Sequence, residues 1–302
     1  MRYAVVYHYF EKNPTYRDNL IFFLNTAVYP DVEYFIIIAG FCSVELTEKP
    51  NIQYINIPNK NYDFGGIVEF SKNPINHSYD GYIFVNSSVR GPFIAPFYPL
   101  RWYEAFTSGL NQNVAIVGTS INFLSEVATE SKRFSESLEF DQPYIHVQTA
   151  SYALSGAGFR FLLSEKFFSL DEELSHMEIV LRYEIKLSQL LLKQGYEISA
   201  LLPTYENFDA SNRRLIYPTT VTDGDPLMPL SFYGRTISPL EGIFVKINRN
   251  LITPRTLASY TFTSLAMHAA NGRLSRDGAV LFAESEDKML VPEQSATSFT
   301  VR

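Results

Sequence analysis

Short, nearly unbroken apolar runs constrain this chain more than any other feature: Ala4–Tyr7, Tyr34–Ala39, Gln53–Ile57, Gly81–Val85 and Val114–Val117. A strand with one wet face alternates apolar and polar residues. Continuous runs instead mark strands covered on both faces, as in a parallel or mixed sheet with helices on each side. Between the first two runs, Tyr16–Thr26 places Leu20, Phe23 and Leu24 at helical spacing, which predicts a βαβ opening. Residues 65–72 predict a second, shorter helix, and Tyr152–Leu154 and Glu197–Leu202 predict further strands. The clearest helix is predicted over Met177–Lys193, where Ile179, Tyr183, Leu187, Leu190 and Leu191 form one stripe. Ser175 and Glu178 make a capping box at its start, and Gly195 stands where it must end. Towards the C-terminus, Leu251–Asn271 reads as helical and Glu284–Arg302 as polar and loose.

Composition narrows the function classes. With 302 residues, 46% of them apolar, the chain can bury a large core. A net charge of −7 without a long basic run argues against a nucleic-acid partner. No stretch of about 18 apolar residues exists, so no transmembrane helix is expected and any membrane contact would be peripheral. The start, Met1 to His8, does not read as a signal peptide. Cys42 is the single cysteine, so no intrachain disulfide can form, which fits a reducing, cytoplasmic setting. The 20 Tyr and 24 Phe are read mainly as core, with some rings available as sugar platforms.

In open α/β sheets, ligands bind beyond the carboxyl ends of the strands. The residues there are His8, Tyr9 and Phe10 after the first run, Asn59 to Gly66 after the third, and Asn86 to Pro92 after the fourth. Rings to stack a base, polar groups to read its edge and glycines for close approach are what a nucleotide pocket needs. No Walker A loop, G-x-G-x-x-G or G-x-S-x-G competes with this reading, and the 5 histidines lack metal-ligand spacing.

Two segments carry a family resemblance: Asn61-Tyr62-Asp63-Phe64-Gly65-Gly66, and Tyr79 through Phe93 with Asn86-Ser87-Ser88-Val89-Arg90-Gly91-Pro92 at its centre. They resemble GT-A-like glycosyltransferases of polysaccharide and surface-glycan synthesis, related in pattern to rhamnan-synthesis and algal-virus proteins. His146-Val147-Gln148-Thr149, Tyr183 to Ser188, and Ser238-Pro239-Leu240-Glu241 leading to Lys246 look like later parts of the same pattern. The resemblance implies an α/β, GT-A (Rossmann-like) mixed, mostly parallel central sheet flanked by helices over residues 1–250. A C-terminal helical extension and tail would fill 251–302. It also implies a nucleotide-sugar donor (a UDP-, GDP- or dTDP-sugar) and a glycan or glycolipid acceptor. Donor-binding residues would be His8, Tyr9, Asn61, Asp63, Gly65, Gly66, Asn86, Ser88, Arg90 and Lys246, with His146, Gln148 and Glu241 on the acceptor side.

Where such enzymes place Asp-x-Asp on Mn²⁺ or Mg²⁺, this chain has Asn86-Ser87-Ser88, and Ser238 stands near the place of a further histidine ligand. Asn86 and Ser88 would be the metal contacts if one bound, but they are poor sole ligands for a hard cation, so metal independence is expected. Arg90, Lys246 and Arg249 would then offset the leaving diphosphate. Glu184 matches the acceptor-side carboxylate of the resemblance and is expected to be the base of an inverting transfer, with Glu178, Asp171 and Glu241 next in line. Plain structural readings stand beside these: a salt bridge for Arg90, a core histidine for His8, a turn residue for Asn61 and Asp80, a solvated helix glutamate for Glu184. The missing Asp-x-Asp carboxylates also leave open a catalytically inactive nucleotide-sugar- or glycan-binding homologue. A nucleotidyltransferase is the weakest alternative, because residues 8–17 lack a Gly-rich basic loop.

Overall fold

The computed structural model describes residues 1–124, 128–135, 140, 144–170, 172–206, 208 and 224–290. Its centre is a seven-stranded sheet. We number the strands β1 (Tyr3–Tyr9), β2 (Glu33–Ala39), β3 (Ile52–Ile57), β4 (Gly81–Asn86), β5 (Val114–Gly118), β6 (Ser151–Ser155) and β7 (Glu197–Ala200). Their spatial order is β7-β5-β6-β4-β1-β2-β3. β1 pairs in parallel with β2 and β4, β2 with β3, and β5 with β7; β6 runs antiparallel to both its neighbours. The sheet is thus mixed and mostly parallel. The chain builds outward from β1 to β3, then crosses back to lay β4 on the other side of β1, so the order reverses at β1/β4. Parting connections leave a crevice at such a point.

The central strands β1, β2, β4 and β6 feed two cores because successive side chains alternate between faces. One core joins Val6, Ile37, Phe84 and Tyr152 to Phe64, Phe159 and the helical stripe Ile179, Tyr183, Leu187 and Leu191. The other joins Val5, Tyr7, Tyr9, Ile83 and Val85 to Leu20, Phe23, Trp102, Phe244, Leu265 and Leu281. The helix Pro14–Thr26 belongs to this second face, capped by Asn13, whose Oδ1 accepts from the Thr15 and Tyr16 amides. Burying one Leu or Phe of this kind contributes about 1.5–3 kcal/mol.

Two segments depart from their sequence expectations. The second helix begins at Tyr62 and runs to Ser71, so Asp63 and Phe64 lie in its first turn instead of a loop. Asn61 makes this early start feasible by adopting a left-handed φ of 59°, which asparagine tolerates. Towards the C-terminus, helices Pro254–Ala270 and Arg276–Leu290 pair, with Phe262 and Phe282 stacked at 4.6 Å. Residues 284–290 are therefore helical, not loose; Leu281 packs into the second core, anchoring that helix. The remainder of the tail, 291–302, lies outside the described residues.

Candidate active site

A cleft of about 490 Å³ opens at the carboxyl ends of β1 and β4. Seven side chains singled out in the sequence line it: His8, Asn61, Asp63, Asn86, Ser88, Glu184 and Lys246.

The Asn86-Ser87-Ser88 turn forms one wall. Asn86 Nδ2 donates to Asp63 Oδ2 at 2.9 Å, while Asn86 Oδ1 accepts from the Ser88 amide at 3.1 Å and the Ser88 hydroxyl at 2.5 Å. Ser87 turns inward, its Oγ accepting from the Phe10 amide at 3.1 Å. Opposite stands the start of Tyr62–Ser71. Asn61 clamps this wall to the next loop: its Nδ2 donates to the Glu172 carbonyl at 2.9 Å and its Oδ1 accepts from the Leu174 amide at 2.7 Å. Tyr62 follows with φ 55°, an uncommon conformation for a bulky residue, and leaves its ring exposed at the cleft mouth, edge-on to His176 at 5.2 Å.

Glu184 enters from a third element. The helical rod from His176 to Lys193 contains a π-helical turn over Val180–Ile185. Such wide turns recur at functional sites because they shift side chains off the regular stripe. Tyr183 stays in the core while Glu184, half-buried, lines the cleft. The rod starts with the Ser175/Glu178 capping box and ends at Gly195, φ 93°, where the Tyr196 amide reaches the Leu191 carbonyl at 3.0 Å.

Lys246 comes from far along the chain. Val245–Lys246 pairs antiparallel with Val89–Arg90, and the Ile247 amide donates to the Ser88 carbonyl at 3.0 Å. This short ladder sets the ammonium beside the Asn86–Ser88 turn.

Burial pushes the Glu184 carboxyl up to about 7; the negative charge of Asp63 adds to this, and Lys246 and Arg249 oppose it. His8 is pushed down to about 4 by burial, against the pull of Asp63, so it is neutral near pH 7. The Lys246 ammonium is lowered by burial and by Arg249, with Glu184, Asp225 and Asp63 opposing. Among the described residues neither the Glu184 nor the Lys246 side chain has a hydrogen-bond partner, so both present free capacity to a ligand.

The other singled-out residues lie elsewhere. Tyr9 faces the opposite side of β1 from His8, because neighbours on a strand point opposite ways, and its hydroxyl donates to Glu11 at 2.7 Å. Gly65 and Gly66 give room to protein instead of ligand: a Cβ on Gly66 would meet the His8 ring at 2.5 Å, and one on Gly65 the Lys60 carbonyl at 2.1 Å. Arg90 is buried among Asn19 Oδ1 at 2.8 Å, Thr261 Oγ1 and the Thr15 carbonyl, with Asp18 at 3.5 Å. Arg249 is paired with Asp225. His146 and Gln148 are buried on the ribbon Ile121–Phe123/Ile145–Val147 and its continuation. Glu241 accepts both Arg235 nitrogens, at 2.7 and 2.6 Å, and closes the capping box with Ser238. Asp80 binds the Arg2 amide at the far end of the sheet, and Asp171 lies outside the described residues.

The cleft also takes Lys12, Tyr16, Glu173, His176 and Asn248, which sequence reasoning missed. Lys12 and Tyr16 follow β1 and were findable by extending the strand-end rule; the others arrive through tertiary packing and leave no local signal.

The Asn86–Ser88 turn offers a divalent cation little: among the described residues Asp63 is the one carboxylate hydrogen-bonded to it, the Asn86 side-chain oxygen is already engaged by Ser88, and no group of three or more His, Cys, Asp or Glu converges.

No family model matches the chain, and no curated protein matches it. Solved structures do. The bifunctional glycosyltransferase WbbM overlays with TM-score 0.36 and 11% identity, covering 67% of this chain and 38% of that one. This chain therefore spans well under half of WbbM. The mannosyltransferase PcManGT from Pyrobaculum calidifontis, in complex with GDP-Man and Mn²⁺, overlays with TM-score 0.39 and 12% identity over 96% of this chain and 81% of that one. The galactosyltransferase LgtC, in complex with donor and acceptor sugar analogues, gives 0.39 and 11% over 96% and 98%. These overlays are loose.

Proposed function

We propose that the chain is a glycosyltransferase moving a sugar from a nucleoside diphosphate sugar to a hydroxyl of a glycan or lipid-linked acceptor. The resemblance of its Asn61–Gly66 and Tyr79–Phe93 segments points to polysaccharide or surface-glycan synthesis. One observation carries the reading: a desolvated, unpartnered carboxylate, Glu184, faces Asp63-Asn86-Ser88 and Lys246 across the crevice where the strand order reverses.

The chemistry comes from these groups. Glu184 takes the proton of the acceptor hydroxyl as that oxygen bonds to the anomeric carbon from the face opposite the diphosphate. The bond from carbon to phosphate oxygen breaks, its electrons leave with the diphosphate, and the configuration inverts. A base is most useful when its pKa lies near the working pH, and about 7 meets that condition. Lys246 offsets charge on the leaving group. The Tyr62 ring offers a platform for the base, and Asp63, Asn86 and Ser88 offer hydrogen bonds to ribose or phosphate. Because the donor set is poor in carboxylates, the transfer is proposed to run without a bound Mn²⁺ or Mg²⁺.

The same shortage favours a second reading, a protein that binds nucleotide sugars without turning them over. Calorimetry with UDP-, GDP- and dTDP-sugars, with and without Mn²⁺, together with release of nucleoside diphosphate in the presence of glycan acceptors, separates the two. Turnover supports the transferase, binding without turnover the second reading, and no binding by any donor sinks both.

A further inference from the structure

A second cavity, of about 220 Å³, lies at the other end of helix Pro14–Thr26 from the cleft and shares no residue with it. Its floor is apolar: Ile21, Val44 and Ile52 are buried side chains of the second core. Two cations, Lys49 and Arg273, stand in its wall. Among the described residues neither side chain has an ion pair or a hydrogen bond. Carboxylates are not scarce: the net charge is −7, and Arg2, Arg17, Arg101, Arg182 and Arg235 each pair with one.

Both cations sit on turns held by hydrogen bonds. Gly272, at φ 63°, ends helix Pro254–Ala270, and the Arg273 amide reaches the His268 carbonyl at 2.9 Å. Asn25 then locks the following turn to helix Pro14–Thr26: its Oδ1 accepts from the Ser275 amide at 2.8 Å and its Nδ2 donates to the Ser275 hydroxyl at 3.0 Å. In the segment that carries Lys49, the Tyr54 hydroxyl donates to the Thr47 carbonyl at 2.9 Å and the Ile52 amide to the Lys49 carbonyl at 3.0 Å. The half-buried His268 imidazole is held below its ordinary value by burial, then by the charges of Arg273 and Lys49. Glu45, the one carboxylate in the wall, pairs with neither cation. Like charges fixed around one cavity repel unless an anion lies between them.

We propose that this cavity binds a small phosphate monoester, its phosphate taken by Lys49 and Arg273 and its body seated on the floor of Ile21, Val44 and Ile52. The site stands apart from the nucleotide-sugar reading, because it uses none of the cleft residues. A guanidinium fork and an ammonium are donors well matched to phosphate oxygens, and a dianion offsets two cations. The apolar floor selects an ester over the free ion, which would leave that surface uncovered. Glu45 can accept from a hydroxyl of the ester's body.

Phenyl phosphate, glucose-1-phosphate and inorganic phosphate test this by calorimetric titration, at constant ionic strength, into wild type, the double variant Lys49→Met/Arg273→Met, and Lys246→Met. Thermal unfolding is followed without ligand. At least one ester should bind wild type more tightly than inorganic phosphate does, and which one separates an aromatic body from a sugar one. That affinity should fall about 10-fold or more in the double variant and stay within about two-fold in Lys246→Met, whose cation belongs to the cleft. The double variant should keep or raise Tm, because it removes two like charges that no carboxylate offsets. Four results would each overturn the assignment. They are no binding of either ester to wild type, inorganic phosphate binding as tightly as both esters, an affinity unchanged in the double variant or equally reduced in Lys246→Met, and a lower Tm for the double variant, which would make these cations part of the fold's own support.

Discussion

Arg90 is a buried charge and Glu184 a half-buried one at the cleft, and the fold treats them in opposite ways. Arg90 is enclosed on every side by groups that accept from it: an amide oxygen, a hydroxyl, a carbonyl and, at 3.5 Å, the Asp18 carboxylate. Glu184 receives no hydrogen bond from the described residues and carries a carboxyl pushed up to about 7 by burial. The first arrangement offsets desolvation inside the fold and joins the helix Pro14–Thr26 to the helix Pro254–Ala270. The second leaves the desolvation standing, which is tolerable where a ligand completes the shell. What separates the two charges is the state of their partners.

The contrast breaks first at the variants with the largest effects. Glu184→Gln keeps shape and removes basicity, and should lower turnover about 10²–10⁴-fold with little change in donor affinity. Near-normal turnover at saturating acceptor would make Glu184 a surface residue. Arg90→Met should cost about 3–5 kcal/mol in chemical denaturation while turnover per folded molecule stays within a few-fold. A selective loss of turnover would move Arg90 into the machinery.

Smaller effects test the field around Glu184. Asp63→Ala should weaken nucleotide-sugar binding by about 1–3 kcal/mol, the scale of a charged hydrogen bond. Because Asp63 raises the Glu184 carboxyl and Lys246 lowers it, Asp63→Asn should shift the acid limb of the pH–rate profile to lower pH and Lys246→Met to higher pH. Shifts in the same direction would remove Glu184 from that limb. The sign also fixes a stability effect. With its folded value raised, Glu184 supports the fold fully below the ordinary carboxylate range and loses that support as pH rises through about 7. Glu184→Gln should therefore gain Tm over wild type at pH 8 but not at pH 4.5. The smallest expected effect is that of EDTA: activity should survive chelation, and complete loss restored by Mn²⁺ would overturn metal independence.

The sheet was legible because its signal is local: β1, β2 and β4 are continuous apolar runs, and the strand-end rule then located His8, Asp63 and Asn86. Tyr9, Gly65 and Gly66 sit in those same segments, yet the sequence does not say which neighbour turns to the cleft and which to the core. A one-residue step decides that, and it depends on register. The left-handed start at Asn61 moved a helix boundary that apolar spacing placed near Gly65. The π-turn at Val180–Ile185 has no compositional mark, although the stripe on either side of it does. Lys12, His176 and Asn248 reached the cleft through contacts that no local pattern encodes.

The ladder between Val89–Arg90 and Val245–Lys246 also joins two distant parts of the chain at the cleft. The walls bearing His8, Asp63 and Asn86 belong to the first third of the chain, but Lys246 arrives only when a segment far downstream closes a long loop onto them. Such closure is entropically slow compared with local contacts. A growing polypeptide would therefore hold these walls, with Lys12 and Lys60, before Lys246 joins them, and the full charge of the crevice waits on a segment far downstream.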